Sequence, residues 1–294
     1  MNTALATYKL KIESPLDVLI HRINKIVLGK VKANEIKFLK HGRQLKKNYF
    51  KDGIWNFNGI RLPFYTPDYN AGLMYLIYLD SLFVYCKYND NYNNSLIDQL
   101  DDYLPEGTYG YKNNDIDVTV KENDIVIDAG AWIGDFSAYA SMKGAKVFAF
   151  EPSKENIVYL EKTKELNQNI QIVEKGLGDN SGTFFFSNNQ ENSLIYQITN
   201  EKTNSDKILV TTIDEFVVEN KIDRIDFIKA DIEGFERYML IGAKETLKRF
   251  APKLVICTYH LPDDPEILSR IILEANPNYI IIQKRKKLYA MVKD

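Results

Sequence analysis

One stretch, from Asp124 to Glu151, constrains the fold more than any other part of the chain. It opens with the β-branched apolar run 125–127, which has no polar break and is typical of a parallel strand buried on both faces. The apolar spacing of residues 136–143 then predicts a helix, and residues 146–150 predict a second strand. A strand, a helix and a strand in this order are the repeating unit of a doubly wound α/β fold.

A glycine-containing turn joins the first strand to the helix, and a carboxylate ends each strand. Gly130 and Gly134 let the backbone come close to a ligand, beside the free N–H groups at the start of a helix. Asp128 ends the first strand, and Glu151, 23 residues later (151 − 128 = 23), ends the second. An acid in the latter position can accept hydrogen bonds from ribose hydroxyls. The sequence therefore predicts a nucleoside cofactor across this turn, and a turn that serves packing alone is the alternative.

The spacing of the loop also distinguishes between cofactors. It lacks the G-x-G-x-x-G pattern of dinucleotide sites, because position 128 is Asp and the glycines are spaced G-x-x-x-G. A carboxylate at the mouth of the loop would repel a pyrophosphate and attract the ammonium of an amino acid. S-adenosylmethionine (SAM) carries both an ammonium and a ribose. We therefore expect SAM, and a nicotinamide-dependent oxidoreductase is the weaker enzyme hypothesis.

Charge narrows the range of partners. The 294 residues include 38 basic and 40 acidic side chains, a net charge of −2, which does not favour nucleic acid as a partner. Residues 1–51 are different, with twelve Lys or Arg and three Asp or Glu, a surplus of 12 − 3 = 9. This region is suited to an anionic glycan, lipid headgroup or phosphate, and solvated faces of two helices are the alternative.

Cysteine usage and hydropathy indicate the compartment. The two cysteines, Cys86 and Cys257, show neither metal-type spacing nor a disulfide framework. Residues 1–20 lack the apolar core of a signal peptide, and the apolar run 71–86 is too short for a membrane span. These features predict a cytoplasmic protein without a membrane span.

The chain divides at about residue 105. Before this point the sequence predicts a mostly helical cap over residues 1–105, with helices at 14–28, 33–49, 71–85 and 96–104 and a strand or hairpin at 53–64. Such a cap is suited to selecting an acceptor, and a role in forming a homodimer or in packing is the alternative.

The second region, residues 106–294, predicts the main domain. Strands alternate with helices from 124 to 283, which favours a doubly wound, Rossmann-like parallel sheet. The last two strands, at 279–282 and 287–292, are joined by so short a turn that they must be antiparallel. A single helix is predicted over 235–250.

Four polar residues close four apolar strands of this sheet: Asp128, Glu151, Asp231 and His260. Ligands bind beyond the carboxyl ends of such strands, and Asp231 and His260 should project towards the reactive end of the cofactor. Transfer of a methyl group is an in-line displacement that requires alignment and removal of a proton from the acceptor.

Two of these residues are candidates for the chemistry itself. His260 is the best placed base because its pKa lies near neutral pH. Asp231 could orient His260, hold the acceptor hydroxyl or ligate a divalent metal. The alternatives are a hydrogen-bonded interior histidine for His260 and a helix N-terminal cap for Glu233 or Glu236. A non-catalytic SAM-binding or scaffold module is the alternative to an enzyme.

Residues from about 107 to 292 resemble the FkbM-type SAM-dependent methyltransferases. The resemblance is carried by DIVIDAGAWIG, FAFEPSKENIVYLEKTKELN, DFIKADIEGFE and APKLVICTYHLPDD. It implies a class I fold of seven strands with the last strand antiparallel, SAM as methyl donor, and O-methylation of a sugar, glycan or glycolipid-type acceptor. Trp132 stands where the family usually has Asn in G-A-N-I-G.

The resemblance also implies roles for individual residues. The SAM contacts that it implies are Asp128, Gly130, Gly134 and Glu151, with Asp179 as a candidate at the edge of the adenine. The active-site residues that it implies are Asp231, Glu233 and His260. The residues before 105 lie outside the resemblance, so the acceptor is not specified by it.

Overall fold

The computed structural model of the chain describes residues 50–57, 59–63, 109–185 and 207–293. They fall into two units, with residues 50–57, 59 and 63 in one and the remaining described residues in the other. The four helices predicted for the N-terminal cap lie outside the described residues. The division at about residue 105 and the helical character of the cap therefore stay predictions.

A short hairpin forms the described part of the first unit. Strand β1 (Phe50–Lys51) pairs antiparallel with β2 (Ile54–Phe57). Asp52 and Gly53 connect them with φ values of 53° and 81°, the left-handed conformation that suits a two-residue hairpin turn. The strand β3 (Ile60–Pro63) follows. The strand or hairpin predicted over 53–64 is confirmed for these residues.

The second unit is built on a sheet of seven strands. In chain order they are β6 (Ile125–Ala129), β7 (Lys146–Phe150), β8 (Ile170–Val173), β12 (Phe227–Ala230), β13 (Lys253–Cys257), β14 (Tyr279–Lys284) and β15 (Lys287–Val292). Their spatial order is β14-β15-β13-β12-β6-β7-β8. Strand β15 is antiparallel to both of its neighbours, and the other pairs are parallel. This is the predicted doubly wound sheet with an antiparallel last strand.

Five further strands form two small sheets. They are β4 (Tyr111–Lys112), β5 (Asp117–Val118), β9 (Gly176–Leu177), β10 (Gly182–Phe185) and β11 (Lys207–Thr211). Strand β4 pairs with β5, and β11 lies between β10 and β9. Residues 183–186 and 207–212 have the strand character that predicts the pairing of β10 with β11, whereas the sequence of 176–182 predicts a loop.

Helices connect the strands of the main sheet. They are α1 (Asp135–Met142), α2 (Lys154–Leu166), α3 (Ile213–Glu219), α4 (Glu236–Ile241), α5 (Lys244–Phe250) and α6 (Asp264–Ala275). Within the described ranges, no helix has the length and hydropathy that crossing a membrane requires.

The single helix predicted over 235–250 is wrong, because the chain forms α4 and α5 with a break at Gly242. A Cβ at Gly242 would lie 2.1 Å from the carbonyl oxygen of Gly178, so the backbones are in direct contact there. The carbonyl of Gly242 also accepts a hydrogen bond from the N–H of Asp214 at 3.0 Å. The N–H of Thr246, which a continuous helix would donate to that carbonyl, donates instead to Asp214 Oδ1 at 2.8 Å, so tertiary packing overrides local propensity.

The two faces of the sheet are covered differently. Ile127, Ile228 and Ile256 belong to a buried apolar core with residues of α3 to α6. On the opposite face, Phe136 of α1 stacks on Phe227 with ring centroids 5.9 Å apart. Because side chains alternate along a strand, residues 128 and 229 lie on this second face, beneath α1. The polar residues described next are positioned by this alternation.

Candidate functional site

The glycine loop at the end of β6 is shaped by packing. Gly130 and Gly134 have φ values of 74° and 86°. A Cβ at Gly130 would lie 2.0 Å from the carbonyl oxygen of Asp231, and one at Gly134 would lie 2.6 Å from Leu160. We expected these glycines to let a ligand approach. The structure gives another reason for them, since each admits a neighbouring part of the protein.

Glu151 is bound to the same loop. Its Oε2 accepts a hydrogen bond from the backbone N–H of Trp132 at 2.9 Å. Its Oε1 accepts from the N–H of Ser153 at 2.9 Å and from the side chain of Asn156 at 3.2 Å. Burial raises the pKa of Glu151, and these donors oppose that rise. A carboxylate oxygen has two lone pairs, so Oε2 can accept a further hydrogen bond from a ligand hydroxyl.

Asp128 is completely buried and forms an ion pair with Lys229. The two residues are direct partners in the register of β6 and β12, so their side chains lie side by side on one face of the sheet. Lys229 Nζ lies 3.0 Å from Asp128 Oδ1, and the hydroxyl of Ser137 donates to Oδ2 at 2.6 Å. The carboxylate predicted to attract a ligand ammonium is thus turned towards a lysine of its own chain.

Lys229 has further partners in the loop. Its Nζ donates to the carbonyl oxygens of Gly130 at 2.7 Å and Ala129 at 3.4 Å. Burial lowers the pKa of Lys229, but the neighbouring carboxylates Asp128 and Asp231 outweigh burial and raise it. Lys229 therefore stays cationic and fixes the start of the glycine loop.

A second buried acid, Asp135, lies at the start of α1. Its side chain is 5 % exposed, and its Oδ2 has no hydrogen-bond partner among the described residues. Burial raises the pKa of Asp135 to about 6, and the charge of Asp128 adds to this rise while Lys229 opposes it. We refer to Asp128, Asp135 and Lys229 as the lysine cluster.

Asp231 follows the end of β12 and is held by two phenols. The hydroxyl of Tyr109 donates to Oδ2 at 2.7 Å, and that of Tyr259 donates to Oδ1 at 2.8 Å. Burial raises the pKa of Asp231, but Lys229, Lys287 and the two hydroxyls outweigh burial and lower it. Asp231 is therefore an anion that is oriented by its neighbours.

His260 lies among three carboxylates, and we refer to these four residues as the histidine cluster. Its Nε2 lies 3.7 Å from Asp231 Oδ1 and 3.5 Å from Glu233 Oε2, and its Nδ1 lies 3.1 Å from Glu236 Oε1. Burial lowers the pKa of His260, but Glu236, Asp231 and Glu233 outweigh burial and raise it. The structure thus brings the three predicted active-site residues together.

The two glutamates of this cluster differ in their surroundings. Glu236 is fully buried, and its two oxygens accept the backbone N–H groups of Ile232 at 2.8 Å and Gly234 at 3.0 Å. It therefore caps the turn before α4 and fixes His260 at the same time. Glu233 has 69 % of its side chain exposed and a φ of 57°, which directs it to the surface of the site.

The spacing of this cluster is short enough for a cation. Asp231, Glu236 and His260 each offer one ligand atom within 4.8 Å of the others. Each of the four carboxylate oxygens of Asp231 and Glu236 also accepts one hydrogen bond from the protein and keeps a second lone pair. His260 also presents a different nitrogen to each of the two acids, whereas a metal binds only one of them. The two acids are thus held by hydrogen bonds from the protein, and His260 contacts them at ion-pair distance.

Asp179, the candidate for the adenine edge, lies elsewhere. It is half-buried in the turn between β9 and β10. Within the described part of the chain, no hydrogen bond or ion pair joins it to Glu151 or to either cluster. Its role stays a prediction.

Sequence reasoning missed several residues of the site. The sequence does indicate a role for Lys229, because a lysine within the otherwise apolar strand F-I-K-A must be paired with an acceptor when it is buried. Asp135 follows the last glycine of the loop and resembles an ordinary acidic first turn of a helix. Tyr109, Tyr259 and Lys287 come together only in the tertiary structure, and nothing in their local sequence indicates it.

Comparison with known proteins places this geometry in a family. Residues 128–281 match the family model described as the methyltransferase FkbM domain. A curated relative, hexuronic acid methyltransferase AglP from Haloferax volcanii, is 27% identical over 158 residues, which cover 53% of this chain and 64% of the relative. The chain thus matches less than two thirds of the length of that relative.

Solved structures show a more distant likeness. Methyltransferase FkbM from Methylobacillus flagellatus is 16% identical with a TM-score of 0.48, covering 95% of this chain and 71% of that one. Fibrillarin from Aeropyrum pernix, solved with natively bound S-adenosyl-L-methionine, is 11% identical with a TM-score of 0.39, covering 60% and 70%.

Proposed function

This chain belongs to the methyltransferase FkbM domain family, and from that premise we propose that it transfers the methyl group of SAM to a hydroxyl of a sugar in a glycan or glycolipid precursor. The observation that carries the proposal is that the family match contains all four strand-end residues, Asp128, Glu151, Asp231 and His260. The sugar acceptor is supported by the relative from Haloferax volcanii, whose name states hexuronic acid as its substrate.

The residues of the glycine loop and of β7 are suited to hold the nucleoside. SAM supplies an electrophilic methyl group on a sulfonium. Glu151 is bound to the loop through Trp132 and keeps free lone pairs for ribose hydroxyls. Gly130 and Gly134 shape the loop, and Lys229 joins it to Asp128. Asp179 remains our candidate for the adenine edge.

The histidine cluster is suited to accept the proton of the acceptor hydroxyl. A base becomes stronger when its protonated form is stabilised, and Asp231, Glu233 and Glu236 stabilise the imidazolium of His260. Asp231 is itself fixed by Tyr109 and Tyr259, so the orientation of the group is set before a substrate arrives. Glu233 is exposed and is available to contact the acceptor.

The cofactor is tested by calorimetric titration with SAM, S-adenosylhomocysteine and NADH. We expect both sulfur nucleosides to bind and NADH not to bind. Glu151→Gln should weaken S-adenosylhomocysteine binding by about 10-fold, because a hydrogen bond to a charged group contributes roughly 1.5–3 kcal/mol. Glu155→Gln, an exposed change in the first turn of α2, is the matched control and should leave binding unchanged. Binding of NADH alone would refute the proposal.

The reaction is tested with labelled methyl groups. SAM carrying a labelled methyl is incubated with oligosaccharides that contain hexuronic acid and with matched neutral oligosaccharides. We expect the label on a sugar hydroxyl of at least one of them. His260→Ala should lower the transfer rate by about 10²-fold while leaving SAM affinity nearly intact, as expected for the loss of a general base. Unchanged transfer would exclude His260 from this role.

A further inference from the structure

The lysine cluster is short of positive charge. The charges that act most strongly on Asp135 are Lys229, Asp128 and Asp231, one cation and two further carboxylates. Lys287, which is 2 % exposed, acts on Asp231 and adds a second cation. Within the lysine cluster itself, the two carboxylates of Asp128 and Asp135 face the single cation Lys229 among the described residues, which leaves an excess of 2 − 1 = 1 negative charge in a buried region. A buried charge is stabilised only when it is paired.

Lys229 cannot supply the missing partner. An ammonium has three N–H donors, and those of Lys229 point at Asp128, Gly130 and Ala129. The oxygen Oδ2 of Asp135 is left without a hydrogen-bond donor from the described residues. Leaving a buried acceptor unpaired is costly, and such groups in native proteins commonly mark ligand sites.

The position of Asp135 identifies the kind of ligand. It is the first residue of α1, directly after the glycine loop, and its carboxylate accepts a hydrogen bond from the N–H of Phe136. A carboxylate that has spare acceptor capacity and excess negative charge around it is complementary to a cation with N–H donors. The proposed methyl donor carries such a group, the α-ammonium of its amino-acid part.

We infer that Asp135 binds the α-ammonium of the methyl donor. This inference rests on the proposed function. It replaces the expectation that Asp128 would attract the ammonium, because Asp128 is paired with Lys229 and Ser137. Asp128 is then a positioning residue that holds Lys229 against the glycine loop, and Asp135 is the residue that touches the cofactor.

The test compares two nucleosides by calorimetry: S-adenosylhomocysteine, which has the ammonium, and 5′-methylthioadenosine, which lacks the amino-acid part. Asp135→Asn should weaken S-adenosylhomocysteine binding by about 10- to 100-fold, the effect of losing a charge-assisted hydrogen bond. Binding of 5′-methylthioadenosine should change by less than about twofold. Asp124→Asn is the matched control, since Asp124 is a buried acid at the opposite end of β6, and it should leave both affinities unchanged.

The other possible outcomes distinguish failure of the assignment of Asp135 from failure of the proposed cofactor. Equal S-adenosylhomocysteine affinity in wild type and Asp135→Asn would overturn the inference and leave the proposed function intact. An equal loss for both nucleosides would also overturn it, because Asp135 would then act on the nucleoside or on the loop. Failure of the wild type to bind either nucleoside would overturn the proposed cofactor itself.

A measurement on the wild type makes the test independent of the variant. The carboxylate of Asp135 faces Asp128 on β6, Lys229 on β12 and Asp231 beyond it, and its pKa is raised to about 6. Protonation removes the charge that attracts an ammonium. The affinity for S-adenosylhomocysteine should therefore fall between pH 7.5 and pH 5 by a larger factor than that for 5′-methylthioadenosine. An equal fall for both nucleosides would count against Asp135.

Discussion

The lysine cluster and the histidine cluster lie at the ends of neighbouring strands, yet they are built in opposite ways. In the histidine cluster each oxygen of Asp231 and Glu236 accepts a hydrogen bond from a tyrosine hydroxyl or a backbone N–H. In the lysine cluster the buried oxygen Oδ2 of Asp135 has no such donor among the described residues.

This difference separates two tasks that acidic residues can perform. A carboxylate whose oxygens each accept a hydrogen bond from the protein holds a neighbour in place and tunes its pKa, as Glu236 does for His260. A carboxylate with an unfilled acceptor in a buried region is arranged for a ligand. We therefore assign proton transfer to the histidine cluster and recognition of the cofactor to the lysine cluster, and the following predictions test that division.

The largest effect is expected from Lys229→Met. This change leaves Asp128 as an unpaired buried charge, and breaking a buried pair on one side costs about 3–5 kcal/mol. Urea unfolding should show a loss of this size in the free energy of unfolding. The double variant Lys229→Met with Asp128→Leu removes both charges and should recover most of the loss. Lys248→Met, an exposed change on α5, is the control and should change stability by less than about 0.5 kcal/mol.

If Lys229→Met were as stable as Lys248→Met, the lysine cluster would not be an electrostatic unit. The comparison with the histidine cluster would then fail.

A smaller loss of stability is expected from Gly130→Ala, at the junction of the two clusters. A left-handed backbone costs an L-residue roughly 1–2 kcal/mol, and overpacking adds about 1–3 kcal/mol. The added Cβ would meet the carbonyl of Asp231, whereas a Cβ at Gly53, which has a similar φ of 81°, meets no atom of the described residues within 4 Å. Gly53→Ala should therefore show the backbone cost alone. Equal losses in the two variants, measured by urea unfolding, would show that Gly130 is not in close contact with Asp231.

The same residues show which features of the fold and of the site can be predicted from the sequence. Apolar periodicity predicted the alternation of strands and helices in the main sheet, because strands buried on both faces differ clearly from amphipathic helices. The family resemblance implied that the strands are seven. The periodicity also predicted which residues close the strands. The packing role of Gly130 was not predicted, since its contact with the carbonyl of Asp231 depends on a residue 101 positions away (231 − 130 = 101).

Partners within the site were harder to predict than its members. Asp128 was identified, but its pairing with Lys229 depends on the register between two strands that are far apart in the chain. Asp135 has the sequence context of a common helix start, and only its burial distinguishes it from a surface residue. Local patterns report on the shape of elements, whereas the charge balance of a site depends on how those elements meet.

A smaller effect, one on the pH dependence of stability, is expected from His260→Gln. Because the folded-state pKa of His260 is raised above its unfolded value of about 6.5, its charge stabilises the fold fully below that pH. This stabilisation is lost as the pH rises through the folded-state pKa. The wild type should therefore exceed His260→Gln in stability most clearly near pH 5.5, and the difference should shrink towards pH 9.

The carboxylate that raises the pKa of His260 most can be identified by following the imidazole signals by NMR during a pH titration. Glu236→Gln should lower the pKa of His260 more than Glu233→Gln does, because Glu236 is buried and contacts Nδ1, whereas Glu233 is exposed. Equal effects of the two variants would show that the histidine cluster is less ordered than its hydrogen bonds indicate.

The smallest effect is expected from removing divalent cations. An ion whose free concentration is 100 times its Kd would stabilise the fold by about 2.7 kcal/mol. This corresponds to a shift of several degrees in Tm. Because His260 presents a different nitrogen to each of Asp231 and Glu236, an arrangement that does not suit one shared ion, we expect EDTA to change Tm by less than about 1 °C. A larger drop that Mn²⁺ restores in the wild type and not in His260→Gln would assign a metal to the histidine cluster. In that case the cluster would, like Asp135, have an acceptor reserved for a ligand, and the division of tasks between the two clusters would have to be replaced.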